Sequence, residues 1–142
     1  MRFPRSAGIL MHPTSLPGRY GIGELGDVAY QYVDLLQEHD QTLWQILPLG
    51  PTGYGDCPYS CYSAFAGNPL LIDLQALAES GDLNAADLPE MTQTPGQADF
   101  GAADRELLPA LRTAFENFNR SAPQQRRTEF ENFCAEQQSW LE

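Results

Sequence analysis

Apolar positions in this chain change period twice within the first fifty residues. The runs Gly8-Ile9-Leu10-Met11 and Leu43-Trp44-Gln45-Ile46-Leu47 are short, almost wholly apolar, and stopped by Pro13 and Pro48. Such runs predict buried strands. Between them Leu25, Ala29, Tyr32 and Leu36 recur at helical spacing, with Val28 and Leu35 widening the stripe. That pattern predicts an amphipathic helix from about residue 25 to 39. Asp27 falls in its first turn and His39 at its end, and both charges suit the helix dipole. Strand, helix and strand in this order predict a parallel pair joined by a right-handed crossover. Repeated, such units build an open α/β sheet or a (β/α)8 barrel.

Two long loops follow the two strands. Residues 12–24 are punctuated by Pro13, Pro17, Gly18, Gly21 and Gly23, and residues 50–69 hold four glycines, three prolines and three tyrosines. A loop as long as the second, inside a compact domain, is usually functional. Leu70-Leu71-Ile72 reads as extended structure, although the same run also fits the start of a helix. From Leu77 onward the period turns helical, with a connector at 89–99 marked by Pro89, Pro95 and Gly96. A helix at about 102–119 would place Leu107, Leu108, Leu111, Phe115 and Phe118 on one face, with a break or kink near Leu108 caused by Pro109. A second helix at about 123–141 would align Phe130, Phe133, Cys134, Gln137 and Leu141. No strand separates these two, so they read as an αα-hairpin inserted into the α/β unit. The domain division is then 1–83 for strands and loops and 84–142 for the helical insertion.

Composition narrows the choice of partner. The formal net charge is −11 over 142 residues. An acidic chain repels phosphate backbones, which argues against nucleic acid but not against a neutral sugar. Most of the acid lies between Glu79 and Glu142 and reads as solvated surface. The three cysteines, Cys57, Cys61 and Cys134, have no framework spacing. They read as free thiols of a reducing, cytoplasmic compartment. Cys57 and Cys61 lack a second ligand pair, so no metal site is expected. No signal peptide and no apolar run of membrane-spanning length is visible, so no membrane partner is expected.

Two stretches carry a resemblance. The first is Gly8-Ile9-Leu10-Met11-His12-Pro13-Thr14-Ser15-Leu16-Pro17-Gly18-Arg19-Tyr20-Gly21-Ile22-Gly23. The second is Trp44-Gln45-Ile46-Leu47-Pro48-Leu49-Gly50-Pro51-Thr52-Gly53-Tyr54-Gly55-Asp56, continued by Cys57-Pro58-Tyr59 and by Ser63-Ala64-Phe65-Ala66-Gly67-Asn68-Pro69. Both are similar to amylomaltases, the 4-α-glucanotransferases, firmly over about 6–83 and more by helical pattern beyond. The resemblance implies a (β/α)8 barrel with helical insertions, of which this chain would be an incomplete N-terminal part. It implies transfer of α-1,4-glucan segments between malto-oligosaccharides by a retaining mechanism, without cofactor. In that mechanism one carboxylate attacks the anomeric carbon and a second residue protonates the leaving oxygen. The family's catalytic carboxylates belong to later strands, and no motif in residues 1–142 matches them. A barrel needs about 250 residues, and the sequence stops in a helical pattern at Ser139-Trp140-Leu141-Glu142, so a fragment is expected. The competing expectation is a non-catalytic glucan-binding module.

Both loops leave the C-terminal ends of strands, the face where barrels bind ligands. Tyrosine combines a flat apolar ring with a polar tip, which suits the C–H faces and hydroxyls of glucose. By resemblance Tyr59 is the better candidate for a donor-side subsite in the cleft. By resemblance Tyr54 belongs to a second, remote glucan site, whose partner ring is due near the start of the 102–119 helix, where Ala102-Ala103-Asp104 stand instead. Cys57 occupies a position where the family carries serine, exchanging a hydroxyl for a weak thiol donor. Asp56 is the carboxylate of the central loop, fit to bond sugar hydroxyls but better suited to forming the turn after Gly55. His12, Trp44, Asn68 and Asp73 read as structural: His12 as a satisfied histidine, Trp44 as core, Asn68 and Asp73 as caps on loop backbone.

Overall fold

The computed structural model describes residues 4–90 and 96–141. Expectations that touch residues 1–3, 91–95 and 142, including the middle of the connector, lie outside the described residues. The chain is mixed helix and strand. Strand β1 (Gly8–Leu10) pairs in parallel with β2 (Leu43–Gln45), in the register Gly8 to Leu43, Ile9 to Trp44 and Leu10 to Gln45. Helix α1 (Asp27–Glu38) makes the crossover. The parallel pair expected from the apolar runs is therefore present.

Its burial is not as expected. Ile9, Leu10 and Leu43 are 43%, 58% and 57% exposed. Each strand has one neighbour among the described residues, and α1 turns only a narrow stripe inward. Ala29 and Leu36 are buried while Val28 and Leu35 stay exposed. Trp44 is half-buried. Its ring meets the edge of Tyr32 at 5.0 Å between centroids, and its indole N–H donates to the Met11 carbonyl at 2.7 Å.

The core lies elsewhere. Tyr20 and Ile22 of the first loop join Leu70, Leu74, Leu83, Ala103, Leu107, Ala110 and Ala114 in one apolar cluster. Leu74 and Leu107 are 0% and 1% exposed. Fully burying a leucine contributes roughly 1.5–3 kcal/mol. Leu74 belongs to α2 (Leu74–Glu79), and the last four of these residues belong to α3 (Phe100–Ser121). The inward face of α3 is thus alanine and Leu107, while Leu108 and Phe115 of the expected stripe are 44% and 51% exposed. Small side chains let the α3 backbone approach the first loop, which larger rings would hold off. The helix also runs unbroken through Pro109. Leu107 and Ala110 are buried on either side of this exposed proline, so packing holds the segment helical against the local cost.

Residues 70–72 correct the extended reading. Pro69–Leu71 forms a turn of 3-10 helix, begun by Asn68, whose Oδ1 accepts from the Leu70 N–H at 3.0 Å. Asp73 then caps α2 by accepting from the Gln75 N–H at 2.8 Å. Both residues hold loop backbone, the role their side chains predict. The helix expected over 123–141 is two, α4 (Gln124–Glu136) and α5 (Gln138–Leu141), separated at Gln137. Phe130 of α4 packs edge-on against Phe115 and Phe118 of α3, at 6.2 and 5.6 Å between centroids.

One acidic residue departs from the solvated-surface reading. Asp82 is 5% exposed and takes a bidentate pair from Arg126 of α4, at 2.9 Å to Oδ1 and 2.6 Å to Oδ2. Ser80 donates to the same carboxylate at 2.8 Å, and Asn117 of α3 donates to the Asp82 carbonyl at 2.9 Å. The Arg126 hydrogen bonds hold the Asp82 carboxyl below the usual carboxylate range against the opposing effect of burial. A second carboxyl moves the other way. Glu24 ends the first loop beside Arg19, Tyr20 and Asp73. Burial first, then the Asp73 charge, pushes it up to about 7, with Arg19 pulling back. Gly26 follows closely. A Cβ there would collide with the Asp73 carboxylate, so only glycine fits this junction.

These two carboxyls predict opposite pH responses. Asp82→Ala should lower unfolding stability by about 2 kcal/mol at neutral pH, the value of a hydrogen-bonded charge left without its partner. The loss should begin to shrink as pH falls below the ordinary carboxylate value of about 4, and should vanish only once pH has fallen through the depressed value of Asp82 itself. Urea titration of both proteins at several pH values measures it. For Glu24 the folded-state value is raised, so its contribution is whole below the unfolded value and is lost as pH rises through about 7. Glu24→Gln keeps the neutral form and should be more stable than wild type by about 1–2 kcal/mol above pH 7, after allowance for solvent screening. The two proteins should converge near pH 4, and a gap that did not depend on pH would contradict this.

Candidate functional site

The second loop begins where β2 ends and returns on itself. Thr52 and Cys61 form an antiparallel bridge. The Gly53 N–H donates to the Ser60 carbonyl at 3.0 Å, and the Tyr62 N–H to the Pro51 carbonyl at 3.0 Å. At the tip Tyr54–Asp56 makes a single 3-10 turn, with Gly55 at φ 74° and Asp56 at φ 52°. Glycine takes that left-handed region at no steric cost, and aspartate is among the few other residues that tolerate it. Asp56 closes the turn by donating its N–H to the Gly53 carbonyl at 3.2 Å. The Ser60 N–H then donates to the Cys57 carbonyl at 2.9 Å, and the Cys61 thiol to the Pro58 carbonyl at 2.8 Å. Backbone and thiol contacts therefore shape this turn without using the rings of Tyr54 and Tyr59.

The rings are left to solvent. Tyr54 is 99% exposed and Tyr59 is 74% exposed. Asp56 is exposed, and Cys57 is half-buried beneath the turn. The four residues nominated from sequence thus share one short loop, two of them as outward rings and two as parts of the turn. Tyr62 and Phe65, 81% and 74% exposed, belong to the same surface and were not singled out. Tyr62 carries the same signal in sequence as Tyr54 and Tyr59, a tyrosine in a loop rich in glycine and proline. Phe65 had no local signal.

The first loop joins the second at one residue. His12 Nδ1 lies 2.8 Å from Thr14 Oγ1, and His12 Nε2 lies 3.3 Å from the Pro48 carbonyl. Histidine therefore ties the end of β1 to the end of β2, the structural role expected of it. Further along, the Asp99 N–H donates to the Gly21 carbonyl at 2.8 Å, which pins the first loop to the start of α3. Ala102 and Ala103 are buried there, so positions 102–104 offer no ring to accompany Tyr54. Phe100 precedes them but packs against the core. Among the described residues no group of acidic, histidine or cysteine side chains is placed to hold a metal ion. No helix among them is long and apolar enough to cross a membrane. The only acidic residue of the loop is the turn-forming Asp56.

A family model described as 4-alpha-glucanotransferase matches residues 11–142. A 4-alpha-glucanotransferase of Thermus thermophilus is 48% identical over 142 residues, all of this chain and 28% of that protein. One from Synechocystis is 48% identical over 138 residues, 96% of this chain and 27% of that protein. The solved amylomaltase from Streptococcus agalactiae in complex with acarbose superposes with a TM-score of 0.86 at 39% identity, over 95% of this chain and 27% of that one. The chain therefore spans little more than a quarter of the length of the relatives it matches. With the family model covering nearly the whole of it, the chain belongs to the 4-alpha-glucanotransferase family.

Proposed function

We propose that residues 1–142 supply donor-side substrate contacts to a 4-α-glucanotransferase that moves α-1,4-glucan segments between malto-oligosaccharides. The observation that carries this reading is the second loop. Its backbone is fixed by its own hydrogen bonds, and it presents the ring of Tyr59, 74% exposed, at the C-terminal end of a parallel strand. A glucose unit would lay its C–H face on that ring and hydrogen-bond the phenol at its rim. Tyr54, on the same loop, belongs in this reading to a second, remote glucan site, while Asp56 holds the turn and the Cys57 thiol offers a weaker donor than a hydroxyl. The similar amylomaltase that holds acarbose supports a sugar ligand.

In this reading β1 and β2 are the first two strands of a (β/α)8 barrel, residues 1–83 being its strand-and-loop part and 84–142 a helical insertion. The reaction is retaining. A carboxylate attacks the anomeric carbon, a second group protonates the leaving oxygen, and an acceptor sugar hydroxyl then displaces the enzyme carboxylate. Those carboxylates come from sequence beyond residues 1–142, which leaves binding and orientation to the residues described here. Three unpaired thiols fit a reducing, cytoplasmic setting.

Two experiments test the reading. Purified residues 1–142 should release no glucose from maltotriose above a blank, and clear disproportionation by a host-free preparation would overturn the division of labour. In the full-length transferase, Tyr59→Ala should lower kcat/KM for malto-oligosaccharide at least about tenfold, or roughly 1.4 kcal/mol. Tyr59→Phe keeps the ring and loses about one hydrogen bond, on the order of 1 kcal/mol, so most activity should remain. An unchanged kcat/KM in the alanine variant, with an unaltered Tm, would make Tyr59 a loop-packing residue.

A further inference from the structure

The second loop is braced from a distant part of the chain. Phe65 stacks on Trp140 of α5, with centroids 6.3 Å apart and planes inclined by 26°. Both rings are aimed by local hydrogen bonds. The Ser63 hydroxyl oxygen accepts from the Phe65 N–H at 3.2 Å and from the Ala66 N–H at 3.1 Å, forming a tight turn under the phenylalanine. The Trp140 indole N–H donates to Gln137 Oε1 at 2.7 Å, at the residue that separates α4 from α5. Behind Trp140, α4 is anchored by the Arg126–Asp82 pair and by Phe130 against α3. A continuous series of contacts thus runs from the core, through α3, α4 and α5, to Phe65.

We propose that Trp140 is a positioning residue for substrate binding: by stacking on Phe65 it restrains the loop that carries Tyr59, and so sets how well that ring meets a glucose unit. This rests on the reading of Tyr59 as a sugar contact. The restraints within the loop act on its two arms, through the Thr52–Cys61 bridge and the Gly53–Ser60 hydrogen bond. They fix its shape but not its tilt against the rest of the molecule. The Asn68 N–H to the Leu49 carbonyl, at 2.7 Å, holds only the base. Among the described residues the Phe65–Trp140 stack is the ring contact between this loop and the helices, and it bears on the side of the loop that returns from Tyr59.

The test uses the full-length transferase and two readouts. Trp140→Ala should raise KM for maltoheptaose about fivefold, the order expected from losing one aromatic pair, with kcat within about twofold. Amide hydrogen exchange at Asn68, whose N–H bond to the Leu49 carbonyl holds the base on which the loop tilts, should quicken by a similar factor. Trp140→Phe keeps a ring on Phe65 and should restore both values to within about twofold of wild type. If Trp140→Ala does not fold, Phe65→Leu removes the stack at an exposed position and should give the same pair of changes. In a Tyr59→Ala background, loss of the stack should change KM by less than about twofold. Unchanged loop exchange in Trp140→Ala or Phe65→Leu, or an undiminished KM effect without Tyr59, overturns the positioning role. If Tyr59→Ala alone has no effect while exchange still quickens, the sugar contact fails and the positioning of it falls with it. If Tyr59→Ala is effective and exchange stays unchanged, the positioning role alone fails.

Discussion

Burial of Tyr20 and Ile22 against Leu74 and Leu107 is the constraint on which the rest of this structure depends. Loops normally run over a surface, because buried backbone needs partners for every N–H and C=O. Here the first loop is brought inside, and its partners are supplied one by one. The Gly23 N–H donates to the Thr14 carbonyl, the Leu25 N–H to the Leu71 carbonyl, and the Asp99 N–H to the Gly21 carbonyl. Each of those bonds fixes a different neighbour: the loop itself, the 3-10 turn at Pro69–Leu71, and the start of α3. The apolar cluster therefore decides where α2 and α3 sit, and α3 decides where α4 and α5 can lie. The strand pair is peripheral to this cluster, and its apolar residues Ile9, Leu10 and Leu43 have little cover among the described residues.

The parts of the fold that were legible in sequence are those that one short window determines. Pro13 and Pro48 end the two apolar runs, and a helical stripe separates them, so the parallel pair followed without tertiary information. The errors came where a window admits two answers. Leu70-Leu71-Ile72 fits a strand as well as a helical turn by periodicity alone. Asn68 before Pro69 was the better guide, since an Asn cap followed by proline at the first helical position is a start signal. Pro109 misled for the opposite reason. Its local cost is real, but Leu107 and Ala110 bury on either side of it and their packing outweighs the lost hydrogen bond. The expected α3 stripe holds at Leu107 and Leu111 but not at Leu108 and Phe115, where hydropathy alone ranks leucine and phenylalanine above alanine. Close approach to the first loop selects small residues, and that approach cannot be seen from the helix alone.

The candidate site divides along the same line. Glycine and proline around Tyr54 and Tyr59 indicate fixed backbone and free rings, and the structure has that arrangement. The Phe65–Trp140 stack depends on where α5 ends up, which depends in turn on Asp82 and Arg126. Asp82 lies in an acidic stretch and gives no sign in sequence that it is buried, because its partner is on another helix. A charge pair across that distance is found only once α3 and α4 are placed.

A sugar ring gains little from any single contact, so the value of an exposed tyrosine depends on how little freedom it loses when the sugar arrives. A ring on a loose loop must be ordered at the moment of binding, at a cost in affinity. The second loop reduces that cost in three steps of increasing range. Gly55 and Asp56 set the tip, the Thr52–Cys61 bridge sets the arms, and His12 with the Phe65–Trp140 stack set the loop against the two halves of the molecule. The first two steps are local and would survive in an isolated peptide at best weakly. The third needs the folded core. In the proposed reading, preorganisation of Tyr59 is therefore a property of the whole packed unit, in which a buried loop residue such as Ile22 takes part without lying near the ring.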